Sequence, residues 1–203
     1  MTPVPIVSFE DEPLVLVNDA DDEVGFASKQ RCHDGEGLLH RAFSVFLFSP
    51  QGEVLLQQRS GQKRLWPGVW STTCCSHPRR GESLRAAVQR RLHEELALEA
   101  PVHFLFKFRY HARYEAAGAE HEICHVYAGP LIGQPAVNPN EIAATVMMPP
   151  AALDRELADR PEIYTPWLKL EWARLRQAWS AVEGVFGRVS AGRMPADLRG
   201  GEV

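Results

Sequence analysis

The chain has 203 residues, 45% of them hydrophobic and 24% charged, which is enough apolar material for one globular domain and argues against repeat or fibrous classes. A formal net charge of −4 supplies no general basic field for nucleic acid, and no basic stripe stands in for one. The opening MTPVPIVSFEDE lacks the basic start and apolar run of a secretory signal and no later run is long enough to span a bilayer, so a cytoplasmic protein without a membrane partner is expected.

Short runs rich in β-branched and aromatic residues predict strands at 14–18 (LVLVN) and 42–48 (AFSVFLF), and Pro50-Gln-Gly52 before EVLLQQR at 53–59 predicts a hairpin. A helix is expected from about Glu82 to Leu96, where Leu84, Val88, Leu92 and Leu96 form a stripe at spacing four after Gly81. From 103 to 110, Phe104, Phe106, Phe108 and Tyr110 alternate with His103, Leu105, Lys107 and Arg109, which predicts a strand with one wholly aromatic, buried face. Two more strands are expected: 121–129 (HEICHVYAG), after a gap containing Gly118, and 142–148 (IAATVMM), ending at Pro149-Pro150. A second helix starts near Pro166 and carries Trp167, Leu168, Trp172, Leu175, Trp179 and Val182 at helical spacing, so it should pack on the sheet. Residues 187–203 lack apolar periodicity and predict a frayed or disordered tail, leaving one domain over 1–186.

Residues two apart in extended chain point the same way, so Cys75 shares one side of its strand with His77, and Glu120 shares one with Glu122, while Cys74 points away. Burying such groups is unfavourable unless a partner or metal compensates them, so the two pairs predict an acid/base and metal pocket rather than core. Cys32, Cys74, Cys75 and Cys124 include an adjacent pair that cannot easily bridge, which favours reduced thiols. On a helical wheel Glu95 lies about 60° from Leu92, inside the apolar stripe, whereas Glu94 falls opposite. A carboxylate there needs a cation; an ion pair with Arg91 one turn earlier and a bound metal both satisfy the requirement.

The stretch from Ser76 to Leu98, SHPRRGESLRAAVQRRLHEELAL, resembles a Nudix box, the loop-helix motif that holds magnesium against a diphosphate. Glu82, Arg90, Glu94 and Glu95 stand in its register, but Ser76 and Ala97 replace its glycines and Arg91 replaces a metal-binding glutamate of the hydrolases. With WPGVW (66–70), TTCCSHP (72–78) and EHE (120–122), the chain from about Lys29 to Trp167 resembles the type 1 isopentenyl diphosphate isomerases.

That resemblance implies a single Nudix-type α/β/α sandwich with a mixed sheet. It also implies an enzyme of isoprenoid synthesis that interconverts isopentenyl and dimethylallyl diphosphate by protonation and deprotonation through a tertiary carbocation. Cys75 and Glu122 match the catalytic pair, with Tyr110 expected to assist Glu122 and Trp167 to stabilise the cation. His33, His40, His77, Glu120 and Glu122 would hold a divalent metal, Mn²⁺, Mg²⁺ or Zn²⁺, and Gly35 and Gly37 favour a loop that bends both early histidines inward. Mg²⁺ would accompany the diphosphate at Glu95, and Lys29, Arg59, Lys63 and Arg91 would bind the phosphates. A monomer or weak homodimer is expected. The alternatives are a Nudix pyrophosphohydrolase, against which Arg91 and Cys75 both argue, and a noncatalytic diphosphate-binding protein, which would tolerate loss of Cys75.

Overall fold

In the computed structural model, which describes residues 4–180 and Val182, the strands are β1 (Pro13–Val17), β2 (Glu23–Ser28), β3 (His40–Phe48), β4 (Val54–Arg59), β5 (Trp70–Ser71), β6 (Cys74–Ser76), β7 (His103–Tyr114), β8 (Gly118–Pro130) and β9 (Ile142–Met148). The helices are α1 (Lys29–His33), α2 (Leu84–Leu96), α3 (Pro150–Asp159) and α4 (Pro166–Gln177). The expected tail at 187–203 lies outside the described residues.

Central strand β3 pairs antiparallel with β1, β4 and β6 and parallel with β8, from His40 opposite Glu122 to Phe48 opposite Pro130, so the sheet is mixed. Apart from Arg41, every β3 residue is buried, because helices cover both faces of the sheet. On one face Phe43, Val45 and Leu47 meet Val88, Leu92 and Leu96 of α2. On the other, Phe46 and Phe48 meet Leu168, Trp172 and Leu175 of α4. Burying each such side chain stabilises the layers by about 1.5–3 kcal/mol. The α/β/α sandwich follows from this two-sided burial.

The α2 stripe forms as expected, with the Ser83 hydroxyl accepting from the Ala86 amide as N-cap. Its C-cap, Ala97, takes the left-handed conformation at φ 53°, where glycine is the unstrained residue.

Three features differ from the pattern read in the sequence. The aromatic face of β7 is not continuous: a register shift between Phe104 and Phe106 puts Phe104 against His125 and Tyr127, 44% exposed, while Phe108 and Tyr110 are buried under α4. A β-bulge inserts an extra residue, which strict alternation cannot register. The Pro149-Pro150 stop also opens a helix, α3, because proline is tolerated at a first helical position. The exposed edge strand β2 and the five-residue α1 are too irregular or too short to show periodicity.

Candidate active site and metal centre

The strand order β6-β3-β8-β7 brings the predicted residues to one face. Across the ladders Cys75 faces Ser44, while His40, Glu122 and Tyr110 form one row. Cys75, His77, Glu120, Glu122, Tyr110 and Trp167 all line a single cavity of about 610 Å³. Cys74 points to the opposite face, beneath α2, as the two-residue alternation requires.

His33, His40, His77, Glu120 and Glu122 place their ligand atoms within 4.8 Å of one another. Two backbone carbonyls fix the histidine protons: His33 Nδ1 donates to Lys29 O and His40 Nδ1 to Leu38 O, both at 2.7 Å. A carbonyl can only accept, so in the neutral rings Nε2 carries the lone pair and points inward. His33 Nε2 lies 2.8 Å from Glu120 Oε2, yet both atoms, and His40 Nε2, are buried without a hydrogen-bond partner among the described residues. Either a proton on His33, whose pKa the Glu120 carboxylate raises against burial, or a bound cation satisfies lone pairs at that spacing. His77 suits ligation as well, since burial and the neighbouring His40 and His33 push its pKa well below the usual histidine range and keep it neutral. The donor set therefore fits a divalent metal.

Gly118 makes this approach possible. A Cβ there would fall 2.1 Å from the His33 carbonyl oxygen, and its φ of 143° disfavours other residues. Glycine lets α1 press His33 against the strand that carries Glu120.

Around Cys75 and Glu122, the Tyr110 hydroxyl donates to Glu122 Oε2 at 2.7 Å and His77 Nε2 lies 2.9 Å from Glu122 Oε1. Burial raises the Glu122 carboxyl, but the His40 ring, Glu120 and Tyr110 outweigh it and leave the pKa lowered. The Cys75 thiol is pushed up to about 11 by burial, against the pull of Arg59, whose Nη1 lies 3.7 Å from the sulfur. The buried Trp167 ring has Tyr110 at 6.2 Å and Trp66 edge-on at 5.3 Å, with the Arg59 guanidinium over it at 5.3 Å. Arg59 thus occupies one of the π faces assigned in the sequence to a carbocation.

Lys29, Arg59, Lys63 and Arg91 all reach the cavity wall. Arg59 is braced by the carbonyls of Trp66 and Leu65, and Lys29 donates to Ser8. Arg91 differs. Its Nε bonds Glu95 at 2.9 Å, its Nη1 bonds Val7 O at 2.9 Å and Glu94 at 3.2 Å, and its Nη2 bonds Glu141 at 2.8 Å beside Glu95 at 2.7 Å. Glu95 also takes a thiol contact from Cys74 at 3.5 Å. Glu95 is ion-paired with Arg91, so a cation does meet the carboxylate on the apolar stripe.

Sequence reasoning missed Glu141 and Glu171. Glu141 sits in a loop without periodicity and is buried in the cavity wall, paired to Lys63 and Arg91. Glu171 had a usable signal, a carboxylate between Leu168 and Trp172 on the apolar face of α4, the same anomaly that singled out Glu95. It is fully buried, taking a thiol contact from Cys124 at 3.4 Å.

A NUDIX domain model matches residues 38–168. The isopentenyl-diphosphate Delta-isomerase 1 of Photorhabdus laumondii is 41% identical over 82% of this chain and 96% of its own length. The isopentenyl-diphosphate Delta-isomerase of Nocardia farcinica is 45% identical over 77% and 90%. Among solved structures, the Deinococcus radiodurans protein DR0079 superposes with a TM-score of 0.67 at 24% identity, covering 80% of this chain and 98% of that one, and so shares the fold.

Proposed function

We infer the function from membership: the chain belongs to the Nudix family and, within it, to the isopentenyl-diphosphate Delta-isomerases. It is an isomerase that interconverts isopentenyl diphosphate and dimethylallyl diphosphate. The observation that carries this reading to the site is that Cys75 and Glu122 line one cavity with π faces and cations in its walls.

The reaction moves a double bond without net change of atoms. The terminal CH₂ of the alkene gains a proton, the branch carbon becomes a tertiary cation, and a proton leaves the methylene on its other side. Cys75 and Glu122, on strands separated by β3, serve as the proton-donating and proton-accepting pair, and reversal exchanges their roles. Tyr110 holds the Glu122 carboxylate through its hydroxyl. An unactivated alkene protonates only where water cannot trap the cation, and the rings of Tyr110 and Trp167 supply a dry, electron-rich wall. Lys29, Arg59 and Lys63 anchor the diphosphate, which keeps the alkene between the two catalytic groups.

His33, His40, His77, Glu120 and Glu122 would hold a divalent cation, whose charge would offset the two carboxylates and order Glu122. Five mixed ligands exceed the four of a closed zinc site and include more imidazole than Mg²⁺ favours, so Mn²⁺ is the best match. The substrate is a small diphosphate. Among the described residues no helix is long and apolar enough to cross a membrane.

Cys75→Ala and Glu122→Gln test the reading. Each should lower turnover by several orders of magnitude, since a positioned acid or base contributes roughly 10²–10⁴-fold and no other group replaces it. Near-normal turnover in either variant would overturn the assignment.

A further inference from the structure

Of the five Lys and Arg side chains that line the cavity, two share one buried carboxylate. Lys63 Nζ is paired with Glu141, and Arg91 Nη2 reaches the same carboxylate oxygen, Oε2, at 2.8 Å. Glu141 is 3% exposed, and its backbone is pinned by Ser60 N to its carbonyl at 2.9 Å and by its own amide to Asn138 O at 2.9 Å. The carboxylate therefore cannot simply swing into solvent. Lys29 and Arg59, by contrast, donate only to a hydroxyl, a thiol and carbonyls among the described residues.

A diphosphate entering the cavity meets this arrangement as a competitor. To bind a phosphate oxygen, Lys63 must release Glu141 or share its ammonium with it, and the buried anion repels the incoming one. We propose that Glu141 is a built-in counter-ion of the diphosphate site, a positioning residue that holds Lys63 and Arg91 when the site is empty and sets diphosphate affinity by competing for them. Such competition favours release of a product that carries the same diphosphate as the substrate, because it weakens both alike. Substrate and product differ only in the alkene, so an overly tight diphosphate grip would slow turnover in both directions.

This role rests on the diphosphate-isomerase reading, and the test separates the two. Binding of inorganic pyrophosphate is measured by calorimetry at fixed Mg²⁺ for the wild type, Glu141→Gln, Lys63→Met and the double variant. Glutamine keeps an acceptor oxygen for Lys63 and Arg91 while removing the charge. Glu141→Gln should bind pyrophosphate roughly tenfold more tightly, with a lower KM and a lower kcat for the isomerisation, and the gain should shrink when Lys63 is already replaced. A damaged fold cannot produce tighter binding, so instability does not mimic the result. Unchanged or weaker binding in Glu141→Gln, with the wild type binding normally, overturns the counter-ion role alone. A wild type that binds no pyrophosphate removes the diphosphate reading and the counter-ion role with it.

Discussion

The Tyr110 hydroxyl donates to the Glu122 carboxylate at 2.7 Å, from the residue directly opposite it in the β7–β8 ladder. Because register sets the pair, the bond survives only while the ring stays packed against Phe108 and Trp167. Tyr110→Phe keeps that packing and deletes the bond. Turnover should fall on the order of tenfold or more while thermal stability changes little, as judged by kcat and a melting curve. Equal kcat in the two proteins would remove Tyr110 from the mechanism.

Gly118 bears on metal binding from outside the ligand set. An alanine Cβ would push the His33 carbonyl away from β8 and with it the imidazole that faces Glu120. Gly118→Ala should weaken Mn²⁺ binding by about 10- to 100-fold, the range expected when support of a ligand is lost. Calorimetric titration with MnCl₂ measures this directly, and an unaltered affinity would show that α1 tolerates the displacement.

Glu171 gives stability a pH dependence of definite sign. Its carboxyl is buried between α4 and the sheet, near Ser44 of β3, Cys124 and Glu122 of β8 and Arg174 of its own helix, with Oε2 lacking a hydrogen-bond partner among the described residues. Burial pushes its pKa up to about 8, from the ordinary 4.5. The folded state thus keeps a proton that the unfolded chain loses near pH 4.5, so the contribution is complete below that pH and is lost as pH rises through about 8. Glu171→Gln should be more stable than wild type at pH 9, by on the order of a few kcal/mol, with the advantage vanishing towards pH 4.5. Denaturant melts at both pH values decide it; a constant difference would mean that Glu171 ionises normally.

Ala97 closes α2 in a left-handed conformation at φ 53°, which costs an L-residue with a Cβ about 1–2 kcal/mol. Ala97→Gly should raise stability by about 1 kcal/mol, less whatever glycine gives back through unfolded-state entropy. No cavity residue is touched, so kcat should hold.

Much of the site was legible because period-two alternation is unforgiving. Cys75 with His77 and Glu120 with Glu122 could face one pocket only if their strands shared a sheet face, and they do. The α2 stripe exposed Glu95 in the same manner, but its partner could not be read, because the choice between Arg91 and a metal depends on three-dimensional distances. Phe104 was misplaced by a bulge, an inserted residue with no mark in the alternation. Glu141 was invisible for a different reason: it lies just before β9, and only the β4–β9 pairing brings it beside Lys63.

The most direct measurement is incubation with isopentenyl diphosphate and divalent metal in heavy water, following methyl and vinyl signals by NMR together with phosphate release. Deuterium should enter the methyl group of dimethylallyl diphosphate, with both phosphates still attached. Release of phosphate or pyrophosphate without an allylic product would contradict proton transfer between Cys75 and Glu122 across a clamped alkene.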